Sequence, residues 1–383
     1  MMFYKQLPRS ILFLVFLQIS EYGIGEPIVA PSAPELSAKA YMLVDFNSGK
    51  VLAEHNADEK LAPASLTKIM TVYVAFHEIK NGNLALNDQV TVSKKAWRTS
   101  GSRMFIQVGA KVEVENLLKG IIISSGNDAS VALAEHLAGD ESTFAQLMNQ
   151  HAIRLGMTNT HFTNSMGLPD ENHHTSARDL VTLTRALIRD FPEYYAWHAI
   201  KEFSYNKITQ INRNRLLWRD SSVDGVKTGY TEEAGYCLVA SAIKEDMRLI
   251  SVVMGTQSVD ARASQNQTLL NYGFRFFVTH RLYKANESLA EARIWKGEKT
   301  ALQLGFAEGL YVTIPRHRFD DLQATIQVDE KIMAPVTAGD PHGTLSIMLG
   351  EEPYASMALA ALESIPQGGF FRRLYDGTLL LFK

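Results

Sequence analysis

The chain has 383 residues, of which 46% are hydrophobic, and its formal net charge is -3. This length and composition predict a globular protein with a sizeable core and room for more than one domain, and they exclude a disordered or fibrous chain. Because 38 Lys and Arg are balanced by 41 Asp and Glu, the surface offers no basic field for a polyanion, and we exclude nucleic acid as a partner.

Residues 1–25 have the pattern of an export signal. Two basic residues precede an apolar run over 11–19, and Gly23 and Gly25 fit a small-x-small cleavage site. An uncleaved membrane anchor is the alternative, but the run is well short of the roughly 20 residues that span a bilayer. The sequence therefore predicts a signal peptide and an exported mature protein.

The first part of the mature chain predicts a domain that mixes strands and helices. An alternating segment over 40–46 and a second segment over 51–56 flank a polar turn and indicate a β-hairpin. Residues 65–79 follow as a helix that is apolar on nearly every side and is therefore buried. Further helices are predicted at 114–123, 129–138, 144–155 and 177–188, and strands return at 235–242 and 249–255. Strands at both ends of a helical region predict an α+β domain over residues 36–281 whose sheet is closed by distant segments.

Residues 282–365 differ in pattern from the preceding domain. Short β-type runs, separated throughout by turn residues, are found at 292–295, 310–314, 322–328 and 343–349. These runs predict a second, smaller all-β domain. Its sequence contains no combination of residues that would carry catalysis.

The last segment, 366–383, has the composition of an amphipathic tail. Charged residues are interspersed among apolar ones, as in a helix that lies in a membrane interface; the apolar residues are Phe370, Phe371, Leu374, Leu381 and Phe382. A terminal helix packed on the β domain is the alternative, and Leu379 and Leu380 interrupt the polar face. Because Gly368 and Gly369 would let the tail hinge away from the body, we favour a membrane-anchoring tail.

A Ser-x-x-Lys sequence on a helix places the two side chains one turn apart on the same face, so that the amine can take the hydroxyl proton. The Ser-x-x-Lys pattern occurs three times, beginning at Ser65, Ser204 and Ser241. The pattern Ser-x-Asn also occurs three times, beginning at Ser125, Ser204 and Ser264. Only Ser65 stands at the start of a strongly apolar helix, where the backbone N–H groups and the helix dipole favour a developing anion. We therefore expect Ser65 to be a nucleophile, with Lys68 as its base.

The other two motifs lie where side chains can converge on a cleft. Residues 125–127, Ser-Gly-Asn, are in a turn between two predicted helices, and the single Lys-Thr-Gly, at 227–229, shortly precedes the strand at 235–242. Turns and loops held by a rigid scaffold often carry binding and catalytic side chains. We expect both motifs to face the same cleft.

In this order and at this spacing, the three motifs resemble those of the penicillin-recognising serine transferases, and within them those of the low-molecular-mass D-alanyl-D-alanine carboxypeptidases. The likeness includes the strings at 63–68, 125–129, 223–229 and 272–275, and it extends from about residue 40 to the Gly-Gly-Phe-Phe at 368–371. It implies a transpeptidase-like fold, an antiparallel sheet with helices plus a helical subdomain, followed by the all-β domain. It also implies a serine peptidase at the periplasmic face of the inner membrane of a Gram-negative cell.

The resemblance implies a role for each catalytic residue. Ser65 would attack the carbonyl between the two terminal D-alanines of a peptidoglycan stem peptide, and β-lactam antibiotics would acylate it covalently. Lys68 would accept its proton, which requires burial or a neighbouring positive charge to lower the lysine pKa from about 10.4; Lys227 is the candidate neighbour. Ser125 would relay a proton toward the leaving amine, and Asn127 would hold the substrate backbone.

The resemblance also implies a set of substrate-binding residues. Lys227 and Thr228, with Arg262 downstream, would hold the free carboxylate of the terminal D-alanine, and Gly229 belongs to the same motif. The N–H groups of Tyr230 and of the nucleophile would form the oxyanion hole. As alternatives, Lys227 could be an ordinary surface lysine, and Arg262 could pair with the acid two residues before it.

No motif indicates a cofactor or a metal. His77-Glu78 lacks the second histidine that a zinc-protease helix needs at position 81, and the adjacent His173 and His174 cannot share a helical face. We interpret the adjacent pair as loop histidines and expect no metal. The sequence also has neither a glycine-rich phosphate loop nor the Gly-x-Ser-x-Gly elbow of α/β-hydrolases.

Two other functions remain open. A serine β-lactamase shares the acyl-enzyme step, but Gly126 replaces the Asp of Ser-Asp-Asn and we identify no class A deacylating glutamate, which favours slow release of penicillin. A non-catalytic cell-wall scaffold would use the β domain instead. Binding alone, however, requires no paired serine and lysine.

Overall fold

The computed structural model describes residues 30–382, so the signal peptide predicted over 1–25 lies outside the described residues. The first elements are β1 (Ala40–Asp45), β2 (Val51–His55), a 3-10 turn (Ala64–Thr67) and α1 (Lys68–Lys80). The two strands pair antiparallel, which confirms the predicted hairpin. Every residue of α1 from Lys68 to Phe76 is buried, because a helix without a polar face is stable only inside a domain.

A helical subdomain follows α1. Its elements are β3 (Gln89–Thr91), α2 (Lys94–Arg98), β4 (Lys111–Glu113), α3 (Val114–Ile123), α4 (Asn127–Ala138), α5 (Glu141–Leu155), α6 (Ala177–Asp190), α7 (Pro192–Tyr195), a 3-10 turn (Ala196–Ala199), β5 (Glu202–Tyr205), β6 (Ile208–Ile211) and α8 (Leu216–Arg219). The four predicted helices are α3 to α6, and each is confirmed. Asp140 and Ser176 cap α5 and α6 by accepting the N–H groups of Thr143 and Asp179, which fixes where these two helices begin.

The main sheet is completed by three strands from the second half of the domain. These are β7 (Val223–Thr231), β8 (Gly235–Lys244) and β9 (Met247–Thr256), after which α9 (Val259–Phe276) packs against the sheet. The strand order is β2-β1-β9-β8-β7, with every pairing antiparallel. Ala40 lies opposite Met254, which confirms a sheet closed by distant segments. β7 is an edge strand, and it contacts the 3-10 turn before α1.

The second domain is all-β, as predicted. Its strands are β10 (Phe277–Tyr283), β11 (Ser288–Trp295), β12 (Ala301–Gly305), β13 (Leu310–Pro315), β14 (Leu322–Val328), β15 (Ile332–Met333), β16 (Pro341–Leu349) and β17 (Glu352–Ala361). β10 pairs with β13, and the other six form one sheet. β10 crosses the domain boundary that we predicted between residues 281 and 282. The domains are joined by the buried carboxylate of Asp45, which accepts a 2.7 Å hydrogen bond from Thr279.

The tail forms the last helix, α10 (Phe370–Leu379), and this helix contacts the β domain. The buried carboxylate of Asp376 accepts hydrogen bonds from the Arg293 guanidinium (3.1 Å) and the Lys296 N–H (2.7 Å). The N–H of Gly368 donates to the Lys296 carbonyl, so this glycine is tied to the β domain and does not form the free hinge that we expected. Seven large apolar or aromatic side chains of the tail nevertheless remain exposed: Phe370, Phe371, Leu374, Tyr375, Leu379, Leu381 and Phe382. Within residues 30–382, none of the helices combines the length and the apolar character needed to span a bilayer.

Candidate active site

Ser65 lies in the 3-10 turn and not in α1, where we expected it. In a 3-10 helix the side chains at positions i and i+3 eclipse one another, so the turn places Lys68 directly beside the serine. The Lys68 Nζ to Ser65 Oγ distance is 3.1 Å. The two side chains thus face each other as the motif requires.

The turn that presents Ser65 depends on one glycine. Ala64 has a positive φ of 48°, a left-handed conformation that a non-glycine residue rarely adopts. Gly167, with a φ of 87°, packs against it so closely that an added Cβ would be 1.8 Å from the Ala64 carbonyl oxygen. A side chain at position 167 would therefore displace the backbone next to the nucleophile.

The Lys68 amine is almost completely enclosed. Its side chain is 1% exposed, and Nζ donates 2.7 Å hydrogen bonds to Asn127 Oδ1 and to the Met166 carbonyl. Burial lowers the pKa of Lys68 to about 7, and the positive charge of Arg213 contributes further, while Asp128 opposes the shift. A substantial fraction of the amine is consequently neutral near pH 7.

The second motif contacts the Lys68 amine through Asn127. Ser125 has a φ of 59° in the turn between α3 and α4. The Asn127 amide donates from Nδ2 to the Ser100 carbonyl at 2.7 Å, which directs its Oδ1 toward Lys68. Asp128, which the motif analysis did not single out, is fully buried and accepts the N–H groups of Met104 and Phe105 at 2.8 Å. The side chains of Asn127 and Asp128 therefore hold the turn through hydrogen bonds to backbone groups of the preceding segment.

The third motif is itself a strand, which we did not predict: 227–229 lie in β7. Lys227 is 4% exposed and is not a surface lysine. Its Nζ donates to Ser125 Oγ at 3.0 Å and to the Thr228 carbonyl at 2.9 Å. Burial, followed by the positive charge of Lys68, holds the pKa of Lys227 well below its usual range. The neighbouring cation that lowers the pKa of Lys68 is Arg213 and not Lys227, which we expected in that role.

Arg262 reaches the same strand from α9. Its Nη1 donates to the Gly229 carbonyl at 2.9 Å, and its guanidinium lies over the Tyr236 ring. Burial lowers the pKa of Arg262 to about 10, so it keeps its charge at neutral pH. The alternative that Arg262 pairs with Asp260 is wrong, because that carboxylate pairs with two other arginines, Arg215 and Arg219.

These side chains line one cleft of about 860 Å³. Of the predicted site residues, the cleft is lined by Ser65, Ser125, Asn127, Thr228, Gly229, Tyr230 and Arg262, while the two lysines are buried beneath it. Arg213 also lines the cleft and donates to Ser102 Oγ at 2.7 Å; it belongs to no motif, so the sequence carried no signal for it. Among the described residues of the lining, none is a His, Cys, Asp or Glu, so the cleft offers no ligand set for a metal ion.

The other copies of the motifs lie elsewhere. Ser204 and Lys207 belong to the hairpin of β5 and β6, and Ser241 and Lys244 belong to β8. Ser264 lies in α9. None of these segments forms a turn of helix that would place a lysine beside a serine, so only the Ser65 copy has the geometry of a nucleophile and its base.

A serine hydroxyl beside a buried, low-pKa amine, with further cations next to it, defines an acyl-transfer site of the serine peptidase class. The arrangement can move a proton from Ser65 to Lys68 and bind an anionic substrate group near Arg262. Among residues 30–382, no histidine or aspartate lines the cleft, so Ser65 has no Ser-His-Asp triad there.

Comparison with known proteins identifies the family. The profile of the D-alanyl-D-alanine carboxypeptidase family, peptidase S11, matches residues 28–258, and that of the penicillin-binding protein 5 C-terminal domain matches 277–367. The D-alanyl-D-alanine carboxypeptidases DacC and DacA of Escherichia coli K12 are 46% and 42% identical, over 91% and 92% of this chain and 90% and 89% of their own. The crystal structure of penicillin binding protein 5 from Haemophilus influenzae, 39% identical, has a TM-score of 0.84 and covers 88% of this chain and 100% of that one. The chain belongs to the D-alanyl-D-alanine carboxypeptidase family of serine peptidases.

Proposed function

We propose that this protein removes the terminal D-alanine from peptidoglycan stem peptides that end in D-Ala-D-Ala, through an acyl-enzyme on Ser65, and that penicillins are trapped as covalent adducts on the same oxygen. The observation that carries the proposal is the 3.1 Å contact between Ser65 Oγ and the buried Lys68 amine, whose pKa is about 7. Membership of the family supports the substrate and the reaction.

Acylation begins with the neutral form of Lys68. A neutral amine has two N–H groups and one lone pair, and both Asn127 Oδ1 and the Met166 carbonyl can only accept. The two N–H groups are thereby used, and the lone pair is left for the Ser65 hydroxyl. As the Oγ–C bond forms, the proton passes from Oγ to Nζ, and the negative charge moves to the carbonyl oxygen.

The oxyanion and the leaving group use the neighbouring strand and turn. The N–H groups of Ser65 and Tyr230 stabilise the oxyanion. The hydroxyl of Ser125, which accepts a hydrogen bond from Lys227, relays the proton that Lys68 took from Ser65 to the amine of the departing D-alanine, so Lys68 becomes neutral again. Water then attacks the ester with Lys68 again as the base, which releases the shortened peptide and restores the serine.

Recognition of a free carboxylate makes the reaction a carboxypeptidase reaction. Thr228 lines the cleft beside Arg262, and the buried Lys227 amine lies below them as a further hydrogen-bond donor. A terminal carboxylate would accept hydrogen bonds from these groups. A substrate that places an internal peptide bond here would leave the same groups buried without an anionic partner. The proposed specificity for the last residue therefore follows from charge.

A mass spectrum of the protein after brief exposure to a D-Ala-D-Ala peptide, and separately to a penicillin, tests the proposal. We expect a persistent penicillin adduct on the peptide that contains Ser65, release of D-alanine from the substrate, and neither product with Ser65→Ala. Rapid turnover of the penicillin would indicate a β-lactamase instead. A Ser65→Ala variant that still trims the peptide would indicate that this chain is not the catalyst.

We further propose that the protein is exported and lies at the periplasmic face of the inner membrane, bound through its tail. The support is chemical: α10 exposes Phe370, Phe371 and Leu374, and the chain beyond it exposes Leu381 and Phe382. Aromatic and leucine side chains on one short amphipathic segment bind a lipid interface by burying apolar area. The β domain would then stand between the bilayer and the cleft.

A further inference from the structure

Two helices bring three metal-ligating side chains together outside the cleft. His77 and Glu78 are adjacent near the end of α1, and His151 comes from α5. One ligand atom of each lies within 4.8 Å of the others. The sequence motif at His77 lacked a second histidine on its own helix, and the fold supplies one from a neighbouring helix.

His151 supplies an independent reason to expect a ligand there. Its side chain is 2% exposed, and its Nε2 has no hydrogen-bond partner in the part of the chain that the structure describes. Buried ring nitrogens are nearly always paired, because an unpaired one costs free energy.

The surrounding contacts orient the three groups. The His77 and His151 rings meet edge to face, with centroids 4.6 Å apart. Glu78 Oε1 lies 3.5 Å from His77 Nδ1, and its other oxygen accepts a 2.7 Å hydrogen bond from Asn83. Such contacts to a ligating carboxylate are typical of metal sites. The carbonyl end of α1, which terminates at Lys80, also favours a positive charge nearby.

We propose that His77, Glu78 and His151 bind a divalent metal ion of the zinc class that ties α1 to α5. Two imidazoles and one carboxylate are donors that Zn²⁺ accepts, and a water molecule would complete a tetrahedral set. In such a set, ligand atoms are roughly 3.3 Å apart, so the groups converge by small side-chain rotations. The partly exposed His77 and Glu78 provide the route of entry.

The site is separate from the acyl-transfer chemistry. His77 is nine residues beyond Lys68 on the same helix, which corresponds to about 14 Å along the axis. The ion would therefore stabilise the packing of α1 and α5 and take no part in the reaction at Ser65. The inference does not depend on the proposed substrate.

Titration of the full chain, without a histidine tag and stripped of metal by a chelator, tests the proposal. Zn²⁺ binding is measured by calorimetry and by thermal unfolding, and Co²⁺ binding by visible absorption, which reports tetrahedral geometry. We compare the parent with His77→Gln, Glu78→Gln and a matched control, His136→Gln, which alters an exposed histidine on α4. Because His77 and Glu78 are partly exposed, these variants fold even if a His151 variant does not.

We expect one ion per chain in the parent and in His136→Gln, with a raised Tm and intense Co²⁺ absorption. In His77→Gln and Glu78→Gln, affinity falls at least about ten-fold and the Tm shift is lost. Absence of binding in the parent, or equal binding in all four proteins, overturns the proposal. Zn²⁺ that slows penicillin acylation equally in the parent and in His77→Gln also overturns it, because the ion would then occupy another site.

Discussion

Two sites in the molecule, one in each domain, bury ionisable groups in opposite ways. In the catalytic domain, Lys68 and Lys227 are enclosed by uncharged oxygens of hydroxyls, an amide and carbonyls. At the end of the β domain, the buried Asp376 is met by Arg293, Arg372 and a backbone N–H. Burial with a counter-ion holds a helix in place, whereas burial without one changes a pKa. Burial without a counter-ion is the arrangement that makes a group reactive.

The largest effect is expected from a substitution that gives residue 68 a permanent positive charge. Lys68→Arg keeps the positive charge but cannot lose a proton, so the rate of Ser65 acylation by penicillin should fall about 1000-fold or more. The rate is measured by mass spectrometry over time. Lys207→Arg, in the Ser-x-x-Lys sequence of the β5–β6 hairpin, is the matched control, and this variant should react at the parent rate. Near-normal acylation in Lys68→Arg would remove this residue from the role of base.

Removal of the charge that we propose binds the substrate carboxylate should have the next largest effect. Arg262→Gln should reduce kcat/KM for a D-Ala-D-Ala peptide by about 10- to 100-fold, because a hydrogen bond to a charged group is lost. The informative readout is a second peptide with a C-terminal amide. The parent should prefer the acid strongly, and the variant should lose that preference. Arg275→Gln, an exposed arginine on the same helix, is the control; an unchanged preference in Arg262→Gln would place carboxylate recognition elsewhere.

The pH dependence should show the lowered pKa of Lys68 directly. If only the neutral form of Lys68 accepts the serine proton, the acylation rate should be half-maximal near pH 7 and level off about one pH unit above it. Below pH 7 the rate should fall about ten-fold per pH unit. Arg213→Gln removes a neighbouring positive charge, which favours the protonated amine and should move the midpoint upward. Second-order rate constants for penicillin acylation measure both, and circular dichroism checks that the fold persists. A rate that stays flat well below pH 6 would contradict a lysine base.

The smallest effect on catalysis is expected from deleting α10 together with its ion-paired Asp376. Truncation after Pro366 deletes α10 and Asp376, and peptide cleavage should stay within about two-fold of the parent, because the tail contacts the β domain and not the cleft. The truncated protein should no longer sediment with phospholipid vesicles, whereas the full chain should. Sedimentation of the truncated form, or loss of its activity, would refute a tail that serves only for attachment.

The sequence predicted the elements that have a local signal. The hairpin and the helices α3 to α6 follow from periodicity, and Ser65, Lys68 and Asn127 follow from motifs. It could not predict the 3-10 turn, because the choice between the two helix types at position 65 depends on packing against Gly167. β7 was missed because a Lys-Thr-Gly-Tyr run shows no apolar alternation.

Other parts of the site have no sequence signal of any kind. The acceptors at Met166 and Ser100 are backbone carbonyls, which every residue possesses. Arg213 lies in an irregular segment and reaches the cleft only through the fold. His151 is one histidine on an amphipathic helix until α1 is placed beside it. In each case the position is set by tertiary contacts between segments far apart in the chain.

The pairing of β1 with β9 also determines when this enzyme can become active during its synthesis. The sheet cannot close until Met254, the partner of Ala40, has been synthesised. Lys227 belongs to β7, which pairs only with β8, a strand that is synthesised later. A growing chain that ends before Met247 therefore carries Ser65 and Lys68 without the sheet that completes the cleft, and leaves one edge of β1 uncovered. Contacts over such long separations form slowly, so the unfinished polypeptide is the stage most exposed to misfolding.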